Sequence, residues 1–424
     1  MENELRRDIV IRRVTRRLIP FAFICYVVAY IDRVNIAFAA RVLQQDLGLS
    51  ATQYGIGAGL FFLGYCLFEI PSNLVLERVG ARLWIARIMI VWGLVSMATM
   101  FVTDVGSFYI ARVVLGIAEA GFFPGMVLYL TYWIPAADRA RTNALFMTAA
   151  PVSAIIGAPI SEGLLSLNGM MGLHGWQWLF LVEGLPAVVL GVVAFFYLDD
   201  GPERASWLPD DERQWVMNAI QRERSSAEGA SAHTIRAGLL NPAVWRFALV
   251  LFLIVTSGYG FSFFLPQIVK RLSGASDLAV GLWTAVPFTA AAIGMITVAA
   301  HSDRTGERRR HVAACAALAA TGLAASSFSG SPVVALALLA AAAVGLYSAT
   351  PPFWSLPTAF LRGDGAAAGI GLINSIGNLG GFVGPYLMGW MQGLFGDFRV
   401  GLRVLAASAL LSGVLVLFQT RRVR

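Results

Sequence analysis

"LERVGARLW" (residues 76–84) and "SDRTGERRR" (residues 302–310) share one pattern, acid–Arg–x–Gly–x–Arg. The first copy supplies Glu77, Arg78, Gly80 and Arg82, the second Asp303, Arg304, Gly306 and Arg308. A glycine between two apolar runs permits a tight turn, because a residue without a Cβ takes backbone conformations closed to the others. The acid and the arginines are placed to pair across neighbouring helix ends. One copy follows the second apolar segment of the chain and the other follows the eighth. The same turn at the same place in two halves predicts two parallel repeats of six helices.

The sequence on either side of these turns is oily. Of 424 residues, 57% are hydrophobic and only 13% charged, against about 25% charged in soluble domains. The class is therefore a polytopic membrane protein. A helix needs about 20 apolar residues to cross a bilayer. Segments of that kind begin near residues 18, 52, 84, 107, 143 and 177, and again near 245, 278, 311, 332, 366 and 400. The expected fold is an all-α membrane protein with twelve transmembrane helices in two six-helix bundles, residues 1–198 and 244–424, joined by a polar central loop at 199–243. In that loop Pro209 and Asp210 read as a helix start, with acids in the first turn and arginines later. Trp207, Leu208, Trp215, Val216 and Ile220 form an apolar stripe suited to a linker helix lying on the cytoplasmic face, with a regulatory binding site as the alternative.

Orientation follows from the arginines. Arg6, Arg7, Arg12, Arg13, Arg16 and Arg17 precede the first span; Arg78, Arg82 and Arg87 follow the second; Arg139 and Arg141 follow the fourth. Arg304, Arg308, Arg309 and Arg310 follow the eighth, and Arg421, Arg422 and Arg424 end the chain. The positive-inside rule puts all of these, and both termini, in the cytoplasm. These loops account for the net charge of +7 without a nucleic-acid partner. Cys25, Cys66 and Cys315 have neither zinc spacing nor the look of a disulfide framework. The first apolar run has no cleavage site of small residues after it and reads as a retained span.

The paired loops resemble the loop 2–3 signature of the major facilitator superfamily and its echo in loop 8–9, although Ala81 stands where a second basic residue is common. The resemblance covers essentially the whole chain. It implies the major facilitator fold, with these loops latching the cytoplasmic side shut when the carrier faces out. A purely topological role, satisfying the positive-inside rule, is the alternative.

An ionisable group at the bilayer centre costs at least about 2.5–3.5 kcal/mol. The chain accepts that at few places: Asp32 and Arg33 in the first span, Glu69 in the second, Arg112 and Glu119 in the fourth, Glu162 in the fifth and Glu183 in the sixth. In "YIDRVNI" (30–36) Asp32 and Arg33 are adjacent, so they point about 100° apart on a helix and make no ideal mutual pair. Tyr30 shares a face with Arg33, and Asp32 shares one with Asn35. An arginine in a polar cavity is a good carboxylate hook, since its planar fork donates two parallel hydrogen bonds. A carboxylate in low dielectric exchanges its proton nearer neutral pH. Together they suggest an anion site coupled to protons; a salt bridge between helices is the structural alternative. Glu119, near mid-membrane, is a second protonation candidate, and Arg112 is either structural or its partner. Asn374 and Asn378 lie on one face of a glycine-lined segment, facing a cavity or cross-linking helices. Pro351, Pro352 and Pro357 break the tenth span and leave Trp354 between the breaks, packing against substrate or simply within the helix bundle.

"YIDRVNI", "LGYCLFEIPSN", "GIAEAGFFPG", "FWSLPTAFL" and "GLINSIGNLGGFVGP" together look like the anion:cation symporter family, which includes carriers of tartrate, sugar acids and aromatic carboxylates. The resemblance implies proton handling at Asp32 and Glu119, substrate carboxylate binding at Arg33 and Asn374, and a cavity lined by Tyr30, Tyr65 and Trp354. Glu69 departs from it, standing where many relatives have glutamine. Proton-coupled uptake of an organic anion is thus the expected function, with protons, a small organic anion and the lipid bilayer as partners and a monomer as the working unit. Proton-driven efflux of lipophilic compounds and a non-transporting sensor are the rivals. No enzyme activity, metal or cofactor is expected. The four histidines form no metal spacing, no phosphate-binding loop is present, and "GIGAGLFFLG" (55–64) lies inside a span, where its glycines serve helix packing.

Overall fold

The computed structural model describes residues 2–227, 241–360 and 364–418, and they are helical almost throughout. The first helix, α1, is an unbroken 46-residue rod, Glu2–Leu47, that passes through Pro20 without ending. At about 1.5 Å per residue it is roughly 69 Å long, far more than the hydrocarbon thickness it crosses. Next come α2 (Ala51–Val79), α3 (Ala81–Ala98), α4 (Val105–Glu119), α5 (Phe122–Thr131), α6 (Ala136–Met147), α7 (Ala149–Leu165) and α8 (Gly175–Tyr197). The linker carries α9 (Asp210–Ala227). The later elements are α10 (Pro242–Ser273), α11 (Asp277–Thr305), α12 (Arg308–Ser326), α13 (Pro332–Ser348), α14 (Thr350–Phe360), α15 (Asp364–Phe395) and α16 (Arg399–Leu417).

Local chemistry sets the boundaries. Ser50 and Gln53 form a capping box at the start of α2, and Asp104 and Ser107 do the same for α4. The Ser107 amide holds the Asp104 carboxyl below the usual carboxylate range. The repeated turns behave as their glycines require: Gly80 has φ +98° and Gly306 φ +69°, values open to glycine at little cost. The fourth expected span is two helices rather than one. It breaks directly after Glu119, where Gly121 takes φ +88° and Pro124 has no amide to continue the ladder. The tenth is also divided, between α13 and α14, at the Pro351–Pro352 pair. Pro357, expected to make a further break, lies inside α14.

Ten segments among the described residues are long and apolar enough to cross a membrane. The expected spans at α12 and α15 are not among them. The first begins with Arg308, Arg309 and Arg310, and the second carries Asn374 and Asn378 among many glycines.

The packing repeats with a shift of six spans. α1 packs on α7, α2 on α4 and α3 on α8; correspondingly α10 packs on α15, α11 on α13 and α12 on α16. Contacts between the two sets run through α2 with α15, α7 with α11, and α1 with α10. These contacts are backbone-close. A Cβ on Gly55 would lie 2.5 Å from the Pro385 carbonyl oxygen, and one on Gly389 2.3 Å from that of Ala51. α9 lies on the first set: Leu208, Val216 and Ile220 are buried, Trp207 stacks on Trp133 at 5.5 Å, and Glu212 pairs with Arg13 at 3.0 Å.

The α2–α4 contact gives a direct test. A Cβ on Gly116 would lie 2.0 Å from the Phe61 carbonyl oxygen, whereas one on Gly163 in α7 would meet nothing within 4 Å. Gly116→Ala should therefore lower the thermal unfolding midpoint in detergent, at a cost of about 1–3 kcal/mol from overpacking. Gly163→Ala should hold or raise it. Equal midpoints for the two variants would mean that α2 and α4 do not approach this closely.

Candidate functional site

The adjacent charges of α1 part as their helical spacing requires. Asp32 is fully buried and turns to α3, where its Oδ1 accepts from the Ser96 hydroxyl and from Asn35 Nδ2 at 3.3 Å. Arg33 turns to α4. Its Nε donates to Glu119 Oε1 at 3.2 Å, and Nη2 closes an ion pair on the same oxygen. Nη1 donates to the Tyr259 hydroxyl of α10 at 3.3 Å. The guanidinium lies 5.2 Å from the Tyr65 ring centroid and 5.3 Å from that of Phe61. This one side chain thus touches α2, α4 and α10, and so both halves of the fold.

Arg112, also fully buried, sits on the Phe61 ring at 5.3 Å and donates to the Ala58 carbonyl at 3.4 Å. The sequence left Arg112 open as a partner for Glu119; the partner is Arg33. Three buried polar groups around the pair keep spare capacity: Asp32 Oδ2, Glu119 Oε2, and Nε and Nη1 of Arg112 have no hydrogen-bond partner among the described residues.

The other expected site residues fall around this centre. Tyr30 is buried one turn before Arg33, with its ring 6.2 Å from Tyr26. Asn374 of α15 donates to Glu69 Oε1 at 2.7 Å, so the acid that departs from the family pattern is its immediate partner. Trp354 is half-buried beside Phe353, at 5.5 Å, in an apolar cluster with Ile373 and Phe247. Glu183 accepts from Ser161 at 2.7 Å, and Glu162 is buried against Gly281 of α11. Tyr259 and Phe61 were not singled out in the sequence. For Tyr259 a signal existed: it stands between Gly258 and Gly260 in mid-span, an aromatic hydroxyl on a stretch otherwise free of polar bulk.

The halves meet at the end of the bundle remote from the repeated turns. There Arg41 pairs with Asp277 at 3.0 Å, Gln44 donates to Gln267 at 3.3 Å and the Tyr54 hydroxyl to the Phe263 carbonyl at 3.3 Å. The repeated turns themselves keep to their own halves. The Arg82 amide donates to Asp200 at 3.0 Å, Asp303 pairs with Arg308, and Glu77, Arg78 and Arg304 are exposed.

The sequence matches the Major Facilitator Superfamily over residues 22–385. A protein of Agrobacterium vitis, provisionally named a tartrate transporter, is 50% identical over 412 residues, spanning 97% of this chain and 91% of its own length. The quinolone resistance transporter of Acinetobacter baumannii is 41% identical over 397 residues, 94% of this chain and 92% of its own. Among solved structures, an inward-facing, occupied bacterial homolog of the human lysosomal transporter Spinster is similar, with TM-score 0.78, 17% identity and 96% of both chains covered. At that identity the likeness speaks for the fold alone. Sequence, packing and these relatives converge: the chain belongs to the major facilitator superfamily, as a multi-pass transporter of the inner membrane and not an enzyme.

Proposed function

We propose that this transporter takes up a small organic anion together with protons by alternating access. The observation that carries the reading is the placement of Arg33, held by Glu119 in one half and touched by Tyr259 from the other. A substrate carboxylate needs the fork that Glu119 occupies. Protonating Glu119 removes its charge and frees the fork, so proton and anion bind together. Asp32, one residue away and held by Ser96, is the second proton site. Tyr30, Tyr65, Asn374 and Trp354 complete the anion site, with Asn374 leaving Glu69 to reach substrate. The name of the Agrobacterium relative favours a tartrate-like acid among sugar acids and aromatic carboxylates. A monoanion entering with one proton moves no net charge; a second proton adds about 2.3 kcal/mol per 100 mV of membrane potential.

The same reading takes twelve crossings in two bundles, 1–198 and 244–424, around the linker at 199–243, with both termini cytoplasmic and the chain working as a monomer. The arginine distribution supports it. Contacts at the far end, with the turns at Gly80 and Gly306 apart, fit the state open to the cytoplasm. The two turns are then the inner latch, through Glu77, Arg78 and Arg82 in one and Asp303, Arg304 and Arg308 in the other. Proton-driven efflux is the second reading, favoured by the Acinetobacter relative's name.

The test is transport by the purified chain in liposomes holding a pH dye, with organic anions added outside under an inward proton gradient. Wild type should acidify the lumen with one anion class. Arg33→Ala should weaken anion binding by at least about 30-fold, the loss of a buried charged hydrogen-bond partner. Glu119→Gln should keep anion exchange across the membrane but lose proton-driven accumulation. Export of lipophilic compounds with no anion-dependent proton flux would overturn the uptake reading.

A stability cycle isolates the pair itself. Arg33→Met alone leaves Glu119 buried and unpaired and should cost about 3–5 kcal/mol. Adding Glu119→Gln should return most of that loss in thermal unfolding, giving a folded protein without anion transport. Strictly additive effects of the two changes would show that the charges are not coupled.

A further inference from the structure

A second basic site lies away from the transport centre. A cavity of about 750 Å³ is bounded by Arg12, Arg13, Arg16 and Arg17 on α1, by Tyr197 at the end of α8, and by Trp207 just before α9. The four arginines fall at i, i+1, i+4 and i+5, so they crowd one side of α1, where like charges one turn apart repel. Their lining holds a single acid, Asp8. Glu212 engages Arg13, whereas Arg12 and Arg16 are exposed with no carboxylate partner among the described residues.

The wall behind the charges is built. The Arg17 guanidinium lies 4.4 Å from the Tyr197 ring centroid and 5.2 Å from that of Trp207. The Tyr197 hydroxyl donates to the Arg17 carbonyl at 2.8 Å, and Trp207 Nε1 donates to Asp199 at 2.9 Å. Arg17 Nε is buried with no hydrogen-bond partner among the described residues. Directly before Tyr197 the outer side of α8 is apolar and exposed: Phe196 is 80% and Val189 52% exposed. Guanidinium groups gathered where a lipid-facing helix surface ends suit a doubly bonding oxyanion with a hydrocarbon tail beside it.

We propose that this groove binds a phosphate group, as borne by an anionic phospholipid headgroup or by a free phosphate compound, and that the ligand ties α1 and α8 to the linker. The test uses the full chain in detergent, titrated separately with phosphatidylglycerol, phosphatidylcholine and inorganic pyrophosphate, with binding read by native mass spectrometry and by thermal shift. Arg12→Gln/Arg16→Gln changes exposed residues and should keep the fold. It should weaken phosphatidylglycerol binding by about 30-fold, at about one kcal/mol per arginine. Arg87→Gln/Arg310→Gln, two exposed arginines outside the groove, should leave that binding unchanged. Arg17→Lys keeps the charge but loses the stacked plane, and should also weaken it. Saturable binding of phosphatidylglycerol but not phosphatidylcholine identifies the ligand as lipid. Displacement of the lipid by pyrophosphate, sensitive to the same groove residues, identifies a free phosphate compound. Equal losses in the two double variants, or equal binding of the two lipids, would overturn the site and reduce the arginines to general surface charge.

Discussion

Taking a guanidinium or a carboxylate out of water costs several kcal/mol per ion, and an interior of low dielectric returns that only when the two meet with good geometry. The pairing of Arg33 with Glu119 is where this chain meets that condition, and much around it follows. α4 ends at Glu119, so the acid sits at a helix break, where the turn through Gly121 aims it. The guanidiniums of Arg33 and Arg112 each lie 5.3 Å from the centroid of the Phe61 ring. Arg33 brings both its nitrogen donors on Glu119 to one oxygen, leaving Oε2 without a partner among the described residues. A pair so arranged is held firmly enough to be buried, yet has an acceptor and neighbouring donors to spare.

The glycines let the rest of the bundle close around it. Where the halves meet, Gly55, Gly59, Gly281 and Gly389 each face backbone of the opposite half within 3 Å of an added Cβ. Small residues are what allow helices to approach in a medium that supplies no hydrophobic drive between them. At these points the seam brings backbone against backbone, while Phe62 packs on Tyr259 across it at 4.4 Å and the Arg41–Asp277 pair lies at the end remote from the repeated turns.

Periodic and local features were legible in the sequence; contacts across the chain were not. The repeated turn, the buried acids and arginines and the linker helix at Asp210 could be read directly, because each is a statement about neighbours within a turn or two. The break after Glu119 was also written, in Gly121 and Pro124, but the unbroken apolar run masked it. The Arg33–Tyr259 bond joins residues 226 apart and the Asn374–Glu69 bond residues 305 apart. No spacing rule reaches that far. Sequence could say that Arg33 wanted an acid, and offered Glu119 two arginines, but only the reach of the Arg33 side chain from α1 to the end of α4 chooses between them. Hydropathy faded at α12 and α15 because one starts with three arginines and the other spends its length on glycine and asparagine.

The continuity of α1 has a mechanical side. A helix without a break transmits tilt over its whole length, so a rocking of α1 about the level of Arg33 would make it a lever with its fulcrum there. Arg12 lies 21 positions closer to the N-terminus, about 31 Å along the axis. A rocking of about 10° at the fulcrum sweeps that end sideways by about 5 Å. The arginine groove and the linker helix packed on it are carried through the same arc, so a displacement too small to notice at the buried pair becomes, at the water's edge, as wide as a helix turn is tall.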